Sequence, residues 1–270
     1  MTEPPAQLYQ AGRLADAIAA ASAELRSRPT DADRRVFLAE LLCFSGNLER
    51  ADLQLDTAGT QRPEVALGIA LFRQLVRADQ ARRQLFAEGR VPEFLDTPVP
   101  EHLRLHLEAV VLLREGKVAE AAETLARAEA LRPPLAGTHD GVPFADLRDL
   151  DDVTGGLFEV LTSTGKYFWV PAERVELIEF HRPERPRDLL WRRARMVVRG
   201  GPDGEVFLPA IYAGTEAADD GALKLGRATD WSDEPPVRGR GQRCFLVGEE
   251  CVPILQLGTL QFDPAPDSGQ

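Results

Sequence analysis

No stretch of this 270-residue sequence approaches the roughly 18 uninterrupted apolar residues that a membrane-spanning helix needs. Cysteine is scarce. Cys43, Cys244 and Cys251 are too few and too scattered for a disulfide framework, which leads us to expect a reducing, cytoplasmic setting. The opening segment MTEPPAQLYQ has no basic stretch followed by an apolar run, so no secretory signal is expected. Positive charge is also in deficit: 32 basic side chains face 43 acidic ones, a formal net charge of −11, which argues against non-specific nucleic-acid binding. What is present is ordinary for a globular chain, 44% hydrophobic and 28% charged, and long enough to bury two cores rather than one.

The first half repeats itself. YQAGRLADAIAAASAELRSRP (9–29) aligns with CFSGNLERADLQLDTAGTQRP (43–63): Gly12 with Gly46, Leu14 with Leu48, Ala17 with Ala51 and Pro29 with Pro63, each pair 34 residues apart. LREGKVAEAAETLARAEALRP (113–133) places Gly116, Val118, Ala121 and Pro133 each 70 residues further on, about twice that period. A 34-residue unit with Gly at the turn, Ala behind it and a closing Pro is the tetratricopeptide pattern. Gly accepts the left-handed conformation that ends one helix. Ala lets two antiparallel helices approach, and Pro ends the second helix because it lacks a donor and disfavours helix before it. The expected pairs are 2–11 with 14–28, 32–44 with 48–59, 64–78 with 79–88, and 100–115 with 118–131. Such repeats stack into a solenoid whose groove holds a peptide or a helix, a plain helical bundle being the alternative reading.

From about residue 144 the pattern changes to short apolar runs separated by turn signals. FEVLTSTGKYFWV (158–170) reads as two strands about a Ser163–Lys166 turn. VELIEF (175–180) is a further strand, LLWRRARMVV (189–198) and EVFLPAIY (205–212) flank a Gly-rich hairpin turn, and 244–262 supplies one or two closing strands. The expected fold class is α+β with two domains: a helical-repeat domain over 1–135, then a small, mostly antiparallel β domain over 145–262 that resembles an SH3-like barrel. A frayed tail over 263–270 is expected to follow.

Catalytic patterns are missing. His102 and His106 stand at i and i+4, a metal-ligand spacing, but Leu103, Arg104 and Leu105 between them leave no glutamate for a zinc-hydrolase motif, so two neutral surface histidines are expected. Gly165-Lys166 lacks the partners of a phosphate loop, since position 160 is Val160 and position 167 is Tyr167. No nucleophile elbow or dinucleotide fingerprint occurs, and no cofactor or metal is expected.

The remaining electrostatic signal is local. Between 182 and 199 seven arginines stand against Glu184 and Asp188, and alternation in the strand places Arg193 and Arg195 on one face with Trp191 and Arg192 on the other. One reading is a docking surface for an acidic partner with Trp191, Arg192, Arg193 and Arg195 as anchors. The other is an ion-pair network with Glu176, Glu179 and Glu205. A rival function is a small-ligand or enzymatic module with Tyr167, Trp169, Trp191 and Trp231 as an aromatic pocket, although a small barrel also needs such side chains to fill it.

Several segments resemble the ImpE family, also called TagJ or SciE-type. They are RRVFLAELLCFSGNLERADLQLD (34–56), DLDD (149–152), FEVLTSTGKYFWVP (158–171), PRDLLWRRA (186–194), GEVFLPAIY (204–212), LGRATDW (225–231) and PVRGRGQRCFLVGEE (236–250). The resemblance implies a cytoplasmic, non-enzymatic accessory protein of bacterial type VI secretion, with a tetratricopeptide-like domain followed by a mostly β one. It implies as partners the N-terminal helix of the small, TssB-type sheath subunit and the ClpV-type AAA+ ATPase, with no cofactor, nucleic acid or membrane. It assigns no binding residue, so the candidate partner-binding set stays Trp191, Arg192, Arg193, Arg195, Tyr167, Trp169 and Trp231.

Overall fold

A computed structural model describes residues 3–95 and 98–264, which leaves most of the expected frayed tail outside the described residues. The chain opens with helices α1 (Pro5–Gln10), α2 (Leu14–Ser27), α3 (Ala32–Phe44), α4 (Leu48–Gln61), α5 (Ala66–Glu88), α6 (Glu101–Arg114) and α7 (Val118–Leu131). The repeat marks perform the roles expected of them. Gly12, Gly46 and Gly116 take φ of 81°, 81° and 76° at the turns between paired helices. Ala17, Ala51 and Ala121 are wholly buried where those helices meet. Side-chain caps appear where the sequence offers them: Asp31 accepts from the Arg34 amide and Asn47 from the Arg50 amide.

One expectation fails. Instead of a pair over 64–78 and 79–88, α5 runs unbroken for 23 residues. Nothing between Gly68 and Gly89 interrupts the run of good helix formers, and only Gly89, at φ 83°, stops it. The long helix carries its polar side chains across into the second half of the molecule.

That half holds β1 (Gly137–His139), β2 (Val142–Phe144), β3 (Leu147–Asp149), β4 (Leu157–Leu161), β5 (Tyr167–Pro171), β6 (Val175–Phe180), β7 (Trp191–Val198), β8 (Asp203–Pro209), β9 (Thr229–Trp231), β10 (Gly239–Gly241), β11 (Cys244–Val247), β12 (Glu250–Pro253) and β13 (Thr259–Phe262). Eight form one antiparallel sheet in the order β2-β1-β13-β6-β7-β8-β4-β5; β12, β11 and β3 form a second sheet, and β9 pairs with β10. The sheet is open, not the SH3-like barrel expected. Its β5 edge is taken by the segment after α5, where the Glu93 amide donates to the Tyr167 carbonyl and the Trp169 amide to the Glu93 carbonyl. An edge occupied in this way has no free groups with which to close on β2.

Both faces of the sheet are covered, and strand alternation separates them. Leu157, Leu161, Tyr167, Trp169, Trp191 and Phe207 join the helical core. Phe158, Val160, Val170, Ala194, Met196 and Leu208 form a second core with Phe245, Ile254 and Leu260. All five residues of β4, Glu159 among them, are buried, as a strand covered on both faces requires.

The histidine pair lies at the same joint, not on the surface: His102 and His106 are 5% and 2% exposed. Burial, with Arg148 and Arg132 adding positive charge nearby, pushes the His106 imidazole down to about 3. Its ordinary value near 6.5 returns on unfolding, so between about pH 3 and 6.5 the unfolded chain binds the extra proton and the fold loses stability as pH falls. His106→Gln removes that term. The stability of wild type relative to this variant is expected to fall by roughly 2 kcal/mol between pH 6.5 and 5, measured by urea denaturation at each pH. A difference independent of pH sinks the assignment.

Candidate functional site

The groove that a helical array offers is already filled. Helices α1, α3 and α6, each the first of a pair, and the unpaired α5 face the β half of their own chain. At α1 the Gln10 and Tyr9 carbonyls accept from the Arg227 guanidinium at 2.7 and 2.9 Å. At α3 buried Glu40 faces Arg187; burial pushes its carboxyl up to about 7 against the pull of Arg187 and Arg185. On α5, Phe72 packs edge-on against Trp191 at 5.9 Å, and Arg187 lies 4.9 Å over its ring. On α6, His102 Nε2 stands 3.4 Å from Glu173.

At the centre of this joint is a buried ionic cluster. Glu159 of β4, with no exposed surface, accepts from Arg82 of α5 at 2.8 and 2.9 Å and also from Arg243 and the Tyr167 hydroxyl. The Trp169 indole donates to that hydroxyl at 2.6 Å. Asp149 accepts from the Tyr212 hydroxyl at 2.8 Å and from Thr154 at 2.9 Å, and stands 3.3 Å from Arg243. Although burial opposes ionisation, Arg82 and Arg243 hold the Glu159 carboxyl well below its ordinary range. Every partner is internal to the fold, so the cluster joins the two halves and is not open to a substrate.

The aromatic candidates go to three places. Tyr167 and Trp169 serve the ionic cluster, Trp191 packs on Phe72, and Trp231 packs on Tyr212 at 5.7 Å. The arginines divide likewise. Arg192 is buried, donating to the Ile254 and His181 carbonyls and lying 4.7 Å over Phe180, and burial pushes it down to about 10. Arg193 pairs with Glu205 across the β7–β8 ladder, and Arg195 with Glu179 and Asp203 at 2.9 and 2.8 Å. Arg199 donates to the Phe262 and Asp263 carbonyls. Arg182 and Arg185 differ: both are exposed, and neither has an ion pair among the described residues.

Those two flank an open cleft of about 520 Å³ whose apolar floor is Leu71, Leu75 and Phe207. One wall is the segment from His181 to Asp188, the other the β4–β5 turn at Ser163 with the Arg193–Glu205 pair. Five arginines against three carboxylates line it, a positive site on an acidic chain. The sequence reading picked out the arginines but missed Leu67, Leu71 and Leu75, whose i, i+4, i+8 spacing was the available signal.

The fold and this surface define a class: a tetratricopeptide-like array closed by its own antiparallel β-sheet, with a charged cleft at the rim of the joint. A family model, ImpE protein, matches residues 141–261. The chain is 34% identical over 261 residues to the type VI secretion system accessory component TagJ of Pseudomonas aeruginosa, covering 96% of this chain and 90% of that protein. The crystal structure of protein VPA1032 from Vibrio parahaemolyticus superposes with a TM-score of 0.89 at 30% identity, covering 96% of this chain and 97% of the other. This chain belongs to the ImpE/TagJ family of type VI secretion accessory components.

Proposed function

We infer that this protein is a non-enzymatic, cytoplasmic adaptor of a type VI secretion system that holds the N-terminal helix of the small, TssB-type sheath subunit and links it to the ClpV-type ATPase. The observation that carries the reading is the uncovered cleft, with an apolar floor and, at its lip, two arginines that make no ion pair among the described residues. An amphipathic helix lays its apolar face into a groove of that kind, with charged residues at the rim setting orientation and association rate. Because the inner groove of the repeats is filled in cis, the cleft takes the place the sequence assigned to that groove. Titrating the whole chain calorimetrically with the N-terminal helix peptide of its own system's small sheath subunit tests this reading. Saturable binding in the micromolar range is expected. No heat from the peptide or from the intact sheath subunit overturns it.

A further inference from the structure

We propose that the docking surface is the apolar stripe of α5 that rises from buried Leu75 through Leu71 to exposed Leu67, together with Arg182 and Arg185, and that its occupant is an amphipathic helix carrying carboxylates beside its apolar face. That this helix comes from the sheath subunit rests on the function proposed above; the chemistry of the surface does not.

Three observations converge on it. First, the stripe rises out of the fold: Leu75 is 2% exposed and Leu71 half-buried, while Leu67 is 87% exposed. With half-exposed Val65 before it, Leu67 extends the apolar floor of the cleft onto the open surface, whereas a small-ligand pocket encloses its occupant. Secondly, Arg182 and Arg185 stand beside that floor with no ion pair among the described residues, Arg185 reaching buried Glu40 only through its longer-range field. The other cleft arginines are engaged: Arg187 against Phe72 and Glu40, Arg192 on carbonyls, Arg193 on Glu205. Thirdly, Gly68 sits next to Leu67 in the first turn of α5 without a reason in the folded chain. Its φ is ordinary, and a Cβ built there meets no atom within 4 Å. Gly is a poorer helix former than Ala. A partner helix crossing closely at this point supplies the reason, because only Gly lets two backbones approach without a side chain between them.

The experiment uses the whole chain as wild type and as Leu67→Asp, Arg182→Glu/Arg185→Glu, and Gly68→Gln. Each is titrated with the sheath-subunit helix peptide and with two designed helices that present leucines at i and i+4, one flanked by glutamates and the other by lysines. Leu67→Asp and the arginine reversal are expected to weaken sheath-peptide binding at least tenfold with the thermal midpoint unchanged. Gly68→Gln is expected to raise the midpoint while weakening binding, a split that a merely structural residue does not produce. The glutamate-flanked helix should bind and the lysine-flanked one should not. If the sheath peptide binds all variants equally, the surface is wrong and the adaptor reading stands. If the sheath peptide fails but the glutamate-flanked helix binds in an Arg182/Arg185-dependent manner, the surface stands and its assigned partner falls. Failure of both peptides overturns both.

Discussion

Replacing Glu159 with alanine is expected to lower the unfolding free energy by about 3–5 kcal/mol, the cost of removing one partner from a buried ion pair. The side chain has no exposed surface and accepts from Arg82, Arg243 and Tyr167 together. Without it, two guanidiniums are left facing each other at the joint, both too buried for water to solvate. Asp79, 3.8 Å from Arg82, and Asp149, 3.3 Å from Arg243, offset only part of that charge. Urea denaturation should show the midpoint moving down at nearly constant slope. The quadruple replacement Glu159→Leu, Arg82→Met, Arg243→Met and Asp149→Asn should be far milder, because removing both signs deletes the desolvation cost with the attraction, and Asp79 keeps its pair with Arg83 at 3.0 Å. If Glu159→Ala costs less than 1 kcal/mol, the arginines have found water, and the two halves are less tightly closed than the geometry indicates.

The same cluster shows what the sequence makes legible. Gly12, Gly46 and Gly116, and the alanines five residues beyond each, act within one helical turn or one helix pair, so spacing alone revealed them. Alternation in β7 also survived folding: Trp191, Arg193 and Arg195 do share a face. By contrast, Arg82 lies 77 residues from Glu159, and Glu159 lies 84 from Arg243; no local pattern links them. The one available sign was a glutamate in the middle of the apolar run FEVL, where a lone charge needs a distant partner. The filled groove was invisible for a similar reason. The 34-residue period describes how helices stack on one another, and it carries nothing about which later segment lies against them. The histidine spacing misled in the same way, since i and i+4 fixes a shared helix face but not what packs on that face.

Trp191 decides between anchoring a partner and holding the fold, and the geometry favours the fold. The indole is 2% exposed, in the helical core, edge-on to Phe72. Trp191→Ala is therefore expected to cost about 3–5 kcal/mol through lost burial and a residual cavity, read as a fall in the denaturation midpoint. Trp191→Phe keeps most of the volume and should cost clearly less, with sheath-peptide affinity unchanged. A binding anchor behaves in the opposite way: truncation leaves stability intact and removes affinity, because an anchor is exposed until the partner covers it. Loss of binding in a Trp191→Phe protein of wild-type stability would return Trp191 to the docking surface. Leu67 on α5, by contrast, is 87% exposed. Of these two large apolar side chains, the buried one fastens the sheet to the helices, and the exposed one is the one proposed to meet a second molecule.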